Sequence, residues 1–148
     1  MIRKAQEKDF SELLKIAMND GFKHPNEMSL EWVNTRIKRG DEFYVYENER
    51  GVVGFICFQQ QFSKGCRLHF ISVMKEEQGK GIGTALVEKT KLLTRDLGKD
   101  KLYLYVYQDN KKAFNFYMKH GFNFSGIFLD KYGEGEHAFL MCSNISPK

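Results

Sequence analysis

Apolar residues at Phe10, Leu13, Leu14, Ala17 and Met18 recur at intervals of three and four, the spacing of one helix face. Asp20 and Gly21 stop that helix, and a loop around Pro25 follows. Ser29 is placed to cap a second helix, with Leu30, Val33 and Ile37 as its stripe and Gly40 as its end. The period then falls to two. Glu42–Glu47 and Val52–Phe62 read as strands joined by a turn at Asn48. Arg67–Met74 reads as a third strand after a turn at Ser63–Gly65, which completes an antiparallel meander. Helical spacing returns in Ile82, Ala85, Leu86, Leu93 and Leu97, closed by Gly98. Lys101–Tyr107 is a strand, and Asn110 caps a helix with Ala113, Phe116 and Tyr117 inside and Gly121 at its end. Phe122–Leu129 and His137–Cys142 are the last strands, and the tail from Ser143 is expected to fray. With Ile2–Ala5 as a first short strand, the order is β-α-α-β-β-β-α-β-α-β-β. This is an α/β chain with a mixed central sheet of about seven strands flanked by about four helices. Its 148 residues suit a single domain spanning 1–148.

Composition narrows the class. The chain is 42% apolar and 28% charged, as soluble globular domains are. Lys and Arg number 23 against 19 Asp and Glu, a net charge of +4 that suits an anionic ligand. The basic residues are scattered without interleaved aromatics, so no nucleic-acid partner is expected. Cys57, Cys66 and Cys142 form neither a CxxC nor a spacing with histidine, which argues against zinc and against a disulfide framework. Reduced thiols point to the cytoplasm. No apolar run approaches the ~18 residues of a membrane span, and no leader is visible, so no membrane partner is expected.

The segment EEQGKGIGTALVEK, Glu76 to Lys89, sets Gly79, Gly81 and Gly83 directly before a good helix former. Glycine costs stability inside a regular element, so something needs the bare backbone. Unhindered N–H groups at the positive end of a helix make an anion site, with phosphate the usual anion. A tight turn with close helix–sheet packing is the purely structural alternative. A Walker loop is excluded, because Lys80 is followed by Gly81 rather than Ser or Thr. A dinucleotide fingerprint requires GxGxxG within a parallel βαβ unit, whereas these glycines follow an antiparallel meander.

QGKGIG, Gln78 to Gly83, resembles the Q/R-x-x-G-x-G/A signature of the GNAT-superfamily N-acetyltransferases. NKKAFNFYMKHGF, Asn110 to Phe122, resembles the N-x-x-A-x-x-x-Y-x-x-x-G-F pattern that follows the next strand in that family. The element order matches over essentially the whole chain. The resemblance implies direct transfer of the acetyl group of acetyl-CoA to a primary amine in a ternary complex, without a metal. It places Gln78, Gly79, Lys80, Gly81, Ile82, Gly83 and Thr84 around the cofactor pyrophosphate. Lys80 is then either a cation near phosphate or a solvated loop lysine. The pantetheine arm would pair with main-chain groups of Ile71 and Val73, one of whose N–H groups polarises the thioester carbonyl. Asn110 would contact the cofactor arm as well as cap its helix. Tyr117 matches the family tyrosine that acts as general acid toward the departing thiolate.

The base is a departure. Many members carry a glutamate on the strand matching Arg67–Met74, and this strand has no carboxylate. His69 is the group there that titrates near neutral pH, and some arylalkylamine-type members carry a histidine at this point. Strict alternation gives His69 the face of Arg67, Ile71 and Val73. The alternatives are a water chain or a loop carboxylate from Glu27, Glu31 or Glu134. By the same resemblance the acceptor enters among Phe22, His24, Trp32, Tyr132 and His137, and it is a small-molecule or peptide amine. A non-catalytic acyl-CoA-binding or sensing module is the alternative function. The last strands leave an edge that a homodimer could use.

Overall fold

A computed structural model of the chain describes residues 1–20 and 29–147. The strands are β1 (Ile2–Lys4), β2 (Glu42–Asn48), β3 (Gly51–Phe62), β4 (Gly65–Val73), β5 (Lys101–Tyr107), β6 (Asn123–Gly133) and β7 (Glu136–Asn144). The helices are α1 (Phe10–Asn19), α2 (Leu30–Lys38), α3 (Ile82–Asp96) and α4 (Lys111–Lys119). Single 3₁₀ turns occupy Glu7–Asp9 and Lys75–Glu77. The expected α/β order and the mixed seven-stranded sheet are borne out, with strand order β1-β2-β3-β4-β5-β7-β6. The crossover through α3 makes β4 and β5 parallel, pairing Cys66 with Leu102 and Arg67 with Tyr103. The pairs β1/β2, β2/β3, β5/β7 and β6/β7 are antiparallel.

Two compact units divide the chain: Met1–Gln60 with Leu68–Thr90, and Gln61–Arg67 with Lys91–Lys148. In the first, α1 buries Leu13, Ile16 and Ala17, and α2 buries Val33, against Phe43 and Phe55. The expected stripes were drawn too wide. Met18 is 71% exposed, and Leu30 and Ile37 also face solvent, because each short helix turns only a narrow seam inward. Ser29 caps α2 as expected, its Oγ accepting from the N–H of Trp32 at 3.0 Å.

In the second unit, β5 alternates: Leu102, Leu104 and Val106 are buried, and Tyr103, Tyr105 and Tyr107 only partly so. Asn110 caps α4, accepting from the N–H of Ala113 at 3.1 Å. The expected fraying from Ser143 is corrected. Pairing of Leu102 with Ser143 and Lys101 with Asn144 extends β7, and Ile145 donates its N–H to the carbonyl of Asp100 at 2.9 Å. Backbone partners, rather than the polarity of SNISPK, decide where the strand ends. Cys57, Cys66 and Cys142 are free thiols. Among the described residues no helix is long and apolar enough to cross a membrane.

Candidate active site

The glycine turn lies wholly within the first unit, between the end of β4 and the start of α3. Gly79 and Gly81 both adopt left-handed backbone, with φ of +80° and +87°. That conformation costs an L-residue roughly 1–2 kcal/mol, which explains glycine at these two positions. A Cβ at either would meet nothing within 4 Å, so space remains open above the turn. Ala85 donates the first helical bond to the carbonyl of Gly81 at 3.0 Å. The N–H groups of Ile82, Gly83 and Thr84 therefore lead the helix, where no intrahelical acceptor exists for them. Bare backbone, open space and the positive helix end together suit a phosphate oxyanion.

Side chains around the turn hold it in shape. Gln78 donates from Nε2 to Asp20 Oδ1 at 2.7 Å and to the carbonyl of Val73 at 2.9 Å. The other oxygen of Asp20 accepts from Ser72 Oγ at 2.9 Å. Asn19 accepts from the N–H of Lys75 at 2.8 Å. The C-terminal end of α1 thus fixes both the last residues of β4 and the first of the turn. Glu77 is buried, and its Oε2 takes the Lys80 ammonium at 2.9 Å while Arg50 lies 3.5 Å from Oε1. The Lys80 hydrogen bond holds the Glu77 carboxyl below the usual carboxylate range. The amide of Gln78 and the ammonium of Lys80 are thus both engaged within the protein, so the turn presents its backbone.

Gly54 of β3 supports the same place. A Cβ there would stand 3.2 Å from the carbonyl of Ser72, 3.3 Å from Leu86 Cδ1 and 3.4 Å from Ile82 Cγ2. A Cβ there would require Ser72, Leu86 and Ile82 to give by a few tenths of an ångström, so glycine suits the close approach of α3 to β3. Neither Asp20 beyond its helix-stop role nor Gly54 was singled out in the sequence, since their partners are remote along the chain.

His69 departs from the expected alternation. Trp32 of α2 touches both His69, at 5.4 Å between ring centroids, and its neighbour Phe70, at 6.2 Å. Two consecutive strand residues on one ring mean that the pleat is interrupted here. Phe70 stacks on Phe55 at 5.4 Å, and Ser72 reaches Asp20 of α1, so alternation resumes from Phe70. His69 therefore shares the side of Phe70 and Ser72, and Ile71 and Val73 face the other way. The expectation that His69 lies with Ile71 and Val73 is corrected.

The ring of His69 lies over a buried carboxylate that the sequence did not flag. Its Nδ1 is 3.6 Å from Asp41 Oδ2. Cys57 Sγ, at 3.8 Å, and Arg36 Nη1, at 3.8 Å, approach the same oxygen. The donor atoms of Asp41, Cys57 and His69 lie within 4.8 Å of one another. The Arg36 cation beside that oxygen opposes a metal there. What the geometry supplies instead is an imidazole beside a carboxylate, 3.6 Å away and beyond hydrogen-bonding distance.

The remaining candidates belong to other places. Tyr117 of α4 is buried in the second unit, its ring 5.5 Å from Phe116 and 5.8 Å from Phe122. Asn110 caps the same helix. Tyr132 lies against Tyr107 at 5.8 Å, and His137 accepts from the N–H of Asp130 at 2.8 Å. Glu31 and Glu134 are exposed. Phe22, His24 and Glu27 lie outside the described residues.

The Acetyltransferase (GNAT) family profile matches residues 4–122. An N-alpha-acetyltransferase of Sulfurisphaera tokodaii is 32% identical over 115 residues, which is 70% of this chain and 69% of that protein. A mycothiol acetyltransferase of Jonesia denitrificans is 33% identical over 72 residues, 48% of this chain; the match spans only 23% of that relative's length. The crystal structure of Ard1 from Thermoplasma volcanium superposes with a TM-score of 0.88 at 25% identity, covering 99% of this chain and 97% of that one. Carrying the family match over most of its length, on the element order its hydropathy pattern predicts, the chain belongs to the GNAT family of acetyltransferases, which use acetyl-CoA.

Proposed function

We propose that this protein is a single-domain N-acetyltransferase that passes the acetyl group of acetyl-CoA directly to a primary amine. The observation that carries this reading is the pair of left-handed glycines, Gly79 and Gly81, with open space above them at the head of α3. In this scheme the pyrophosphate rests on N–H groups from Gly79 to Thr84, and Gln78 and Lys80 shape the turn through Asp20 and Glu77. The pantetheine arm pairs with the main chain at Ile71 and Val73, and Asn110 contacts that arm. The amine nitrogen attacks the thioester carbonyl carbon, a C–N bond forms, and the C–S bond breaks. An alkyl ammonium has a pKa near ~10, so it must shed a proton before attack and another after. His69, beside Asp41, takes a proton, directly or through water. Tyr117 gives its hydroxyl proton to the departing thiolate.

The N-alpha-acetyltransferase relative makes the α-amines of amino acids and peptides the first acceptors to assay. Three free thiols fit a cytoplasmic protein. The test is steady-state acetyl transfer over an amine panel with the wild type and Tyr117→Phe. A general acid contributes roughly 10²–10⁴-fold, so kcat falls by about that factor while acetyl-CoA still binds. The missing carboxylate on β4 favours one other reading, a non-catalytic acyl-CoA-binding module. That reading wins if acetyl-CoA binds and no amine in the panel is turned over.

A further inference from the structure

The sheet ends in two unlike edges. β1 spans three residues, two of them the charged Arg3 and Lys4, and Arg3 is held by Asp9 and Glu47. β6 spans eleven and pairs with β7 alone, so among the described residues one side of its backbone has no strand neighbour. Edges that must stay single carry Lys, Pro or inward charges. Residues 123–129 of β6 carry neither a charge nor a proline. They carry Phe124, Ile127, Phe128 and Leu129, which are 52%, 55%, 48% and 66% exposed. Ile127 pairs with Phe139 and Phe128 with Ala138, so these two neighbours turn to opposite faces of the sheet. A helix or loop laid on one face would leave the other in water. An added strand covers both.

Gly126 narrows which strand that is. Glycine inside a strand weakens it. The Gly126 backbone is not left-handed, and an added Cβ would meet nothing within 4 Å. Neither conformation nor packing within the chain accounts for a glycine here. Through β7, Gly126 stands in one row with Leu140 and Tyr105. The bare backbone opens a hollow of about 430 Å³ against those two side chains and Phe128. Turned about a two-fold axis at Ile127, β6 is complementary to itself. Gly126 of each copy then comes opposite Phe128 of the other, and an aromatic ring laid over a cross-strand glycine is a stabilising pair. The register shift between Phe124 and Gly126 and the left-handed backbone of Asp130 confine the paired stretch to the residues around Ile127. Side chains therefore supply most of the contact. The exposed parts of the four apolar residues amount to roughly 400 Å² per copy. An interface whose apolar share is the usual one would then bury roughly 1,200–1,400 Å² in total, within the range of stable dimers.

We propose that β6 is the contact surface between two copies of this chain, paired antiparallel about Ile127, with the Phe128 ring of each seated in the Gly126 hollow of the other. The contact lies wholly in the second unit and is independent of acetyl transfer.

Sedimentation equilibrium on the intact protein is expected to show a dimer at micromolar concentration. Ile127→Arg sets two like charges against each other on the axis. It is expected to raise the dimer dissociation constant by about 30-fold or more, the loss of one interface hot spot, with an unchanged circular dichroism spectrum. Gly126→Leu fills the hollow and is expected to weaken the dimer by about ten-fold or more. Gly126→Phe and Phe128→Gly are each expected to weaken it, and the two together to restore it, because the exchange keeps the same pair across the axis. A monomer throughout the micromolar range overturns the proposal. So does a dimer indifferent to Ile127→Arg or to Gly126→Leu, which places the contact elsewhere. Failure of the double exchange to recover what the single changes lose overturns the register and with it the proposal. A monomer that takes up an unrelated extended apolar peptide makes the edge a docking strand for another protein, and that also overturns it.

Discussion

The glycine turn of the first unit and the glycine hollow of the second use the same residue in opposite ways. At Gly79 and Gly81 the missing side chain permits a left-handed backbone, and surrounding side chains are spent on holding that backbone still. At Gly126 the backbone is ordinary, and the missing side chain leaves room among exposed apolar groups. The first place offers main-chain N–H groups at a helix start, donors suited to a phosphate charge whatever molecule carries it. The second offers mostly apolar side chains around a shallow hollow. A backbone site tolerates little change because its geometry is the recognition element. A side-chain site can be rewritten residue by residue.

Substitutions test that contrast, and the largest effect is expected at Gly81. Gly81→Glu forces a side chain into left-handed backbone and sets a negative charge where phosphate would lie. Acetyl-CoA affinity is expected to fall by about 100-fold or more, roughly 2.7 kcal/mol at 25 °C, as read by calorimetry. An unchanged dissociation constant would erase the distinction between the two glycine sites.

Gln78→Leu comes next. It removes donors from Asp20 and from the Val73 carbonyl, and groups left unsatisfied in this way cost about 1–3 kcal/mol. Urea unfolding should show that loss, together with weakened acetyl-CoA binding although no ligand contact is removed. A stability loss without any loss of affinity would mean that the turn does not need its struts.

Asn110→Ala removes the cap of α4, worth about 1 kcal/mol. Thermal unfolding measures this. A fall in acetyl-CoA affinity beyond what the helix loses would give Asn110 a second role at the cofactor arm.

The smallest effect is expected at Lys80→Met, and it depends on pH. Lys80 depresses the Glu77 pKa in the folded state, so the stabilisation is present above the ordinary glutamate range and lost as pH falls through the folded value. The stability gap between wild type and Lys80→Met should be widest near neutral pH and close in acid. A gap independent of pH would show that the pair does not couple to folding.

Much of this protein was legible in its sequence because the signals were local. Among the described residues, periodicity of 3.6 and 2 placed the helices and most of the strands, Ser29 and Asn110 announced their caps, and the spacing of Gly79 and Gly81 announced a turn only glycine makes easily. Each depends on neighbours within a few positions. Tertiary structure decided the rest. Gln78 finds Asp20 across 58 positions, and Ser72 finds the same carboxylate across 52. Asp41 comes beneath His69 only once β4 breaks its alternation against Trp32. Gly126 of β6 comes into one row with Leu140 and Tyr105 only through the pairing of β6 and β5 with β7. Backbone conformation is dictated by each residue's own sterics, so a sequence states it directly. Hydrogen bonds and hollows between remote segments exist only after the chain has closed on itself.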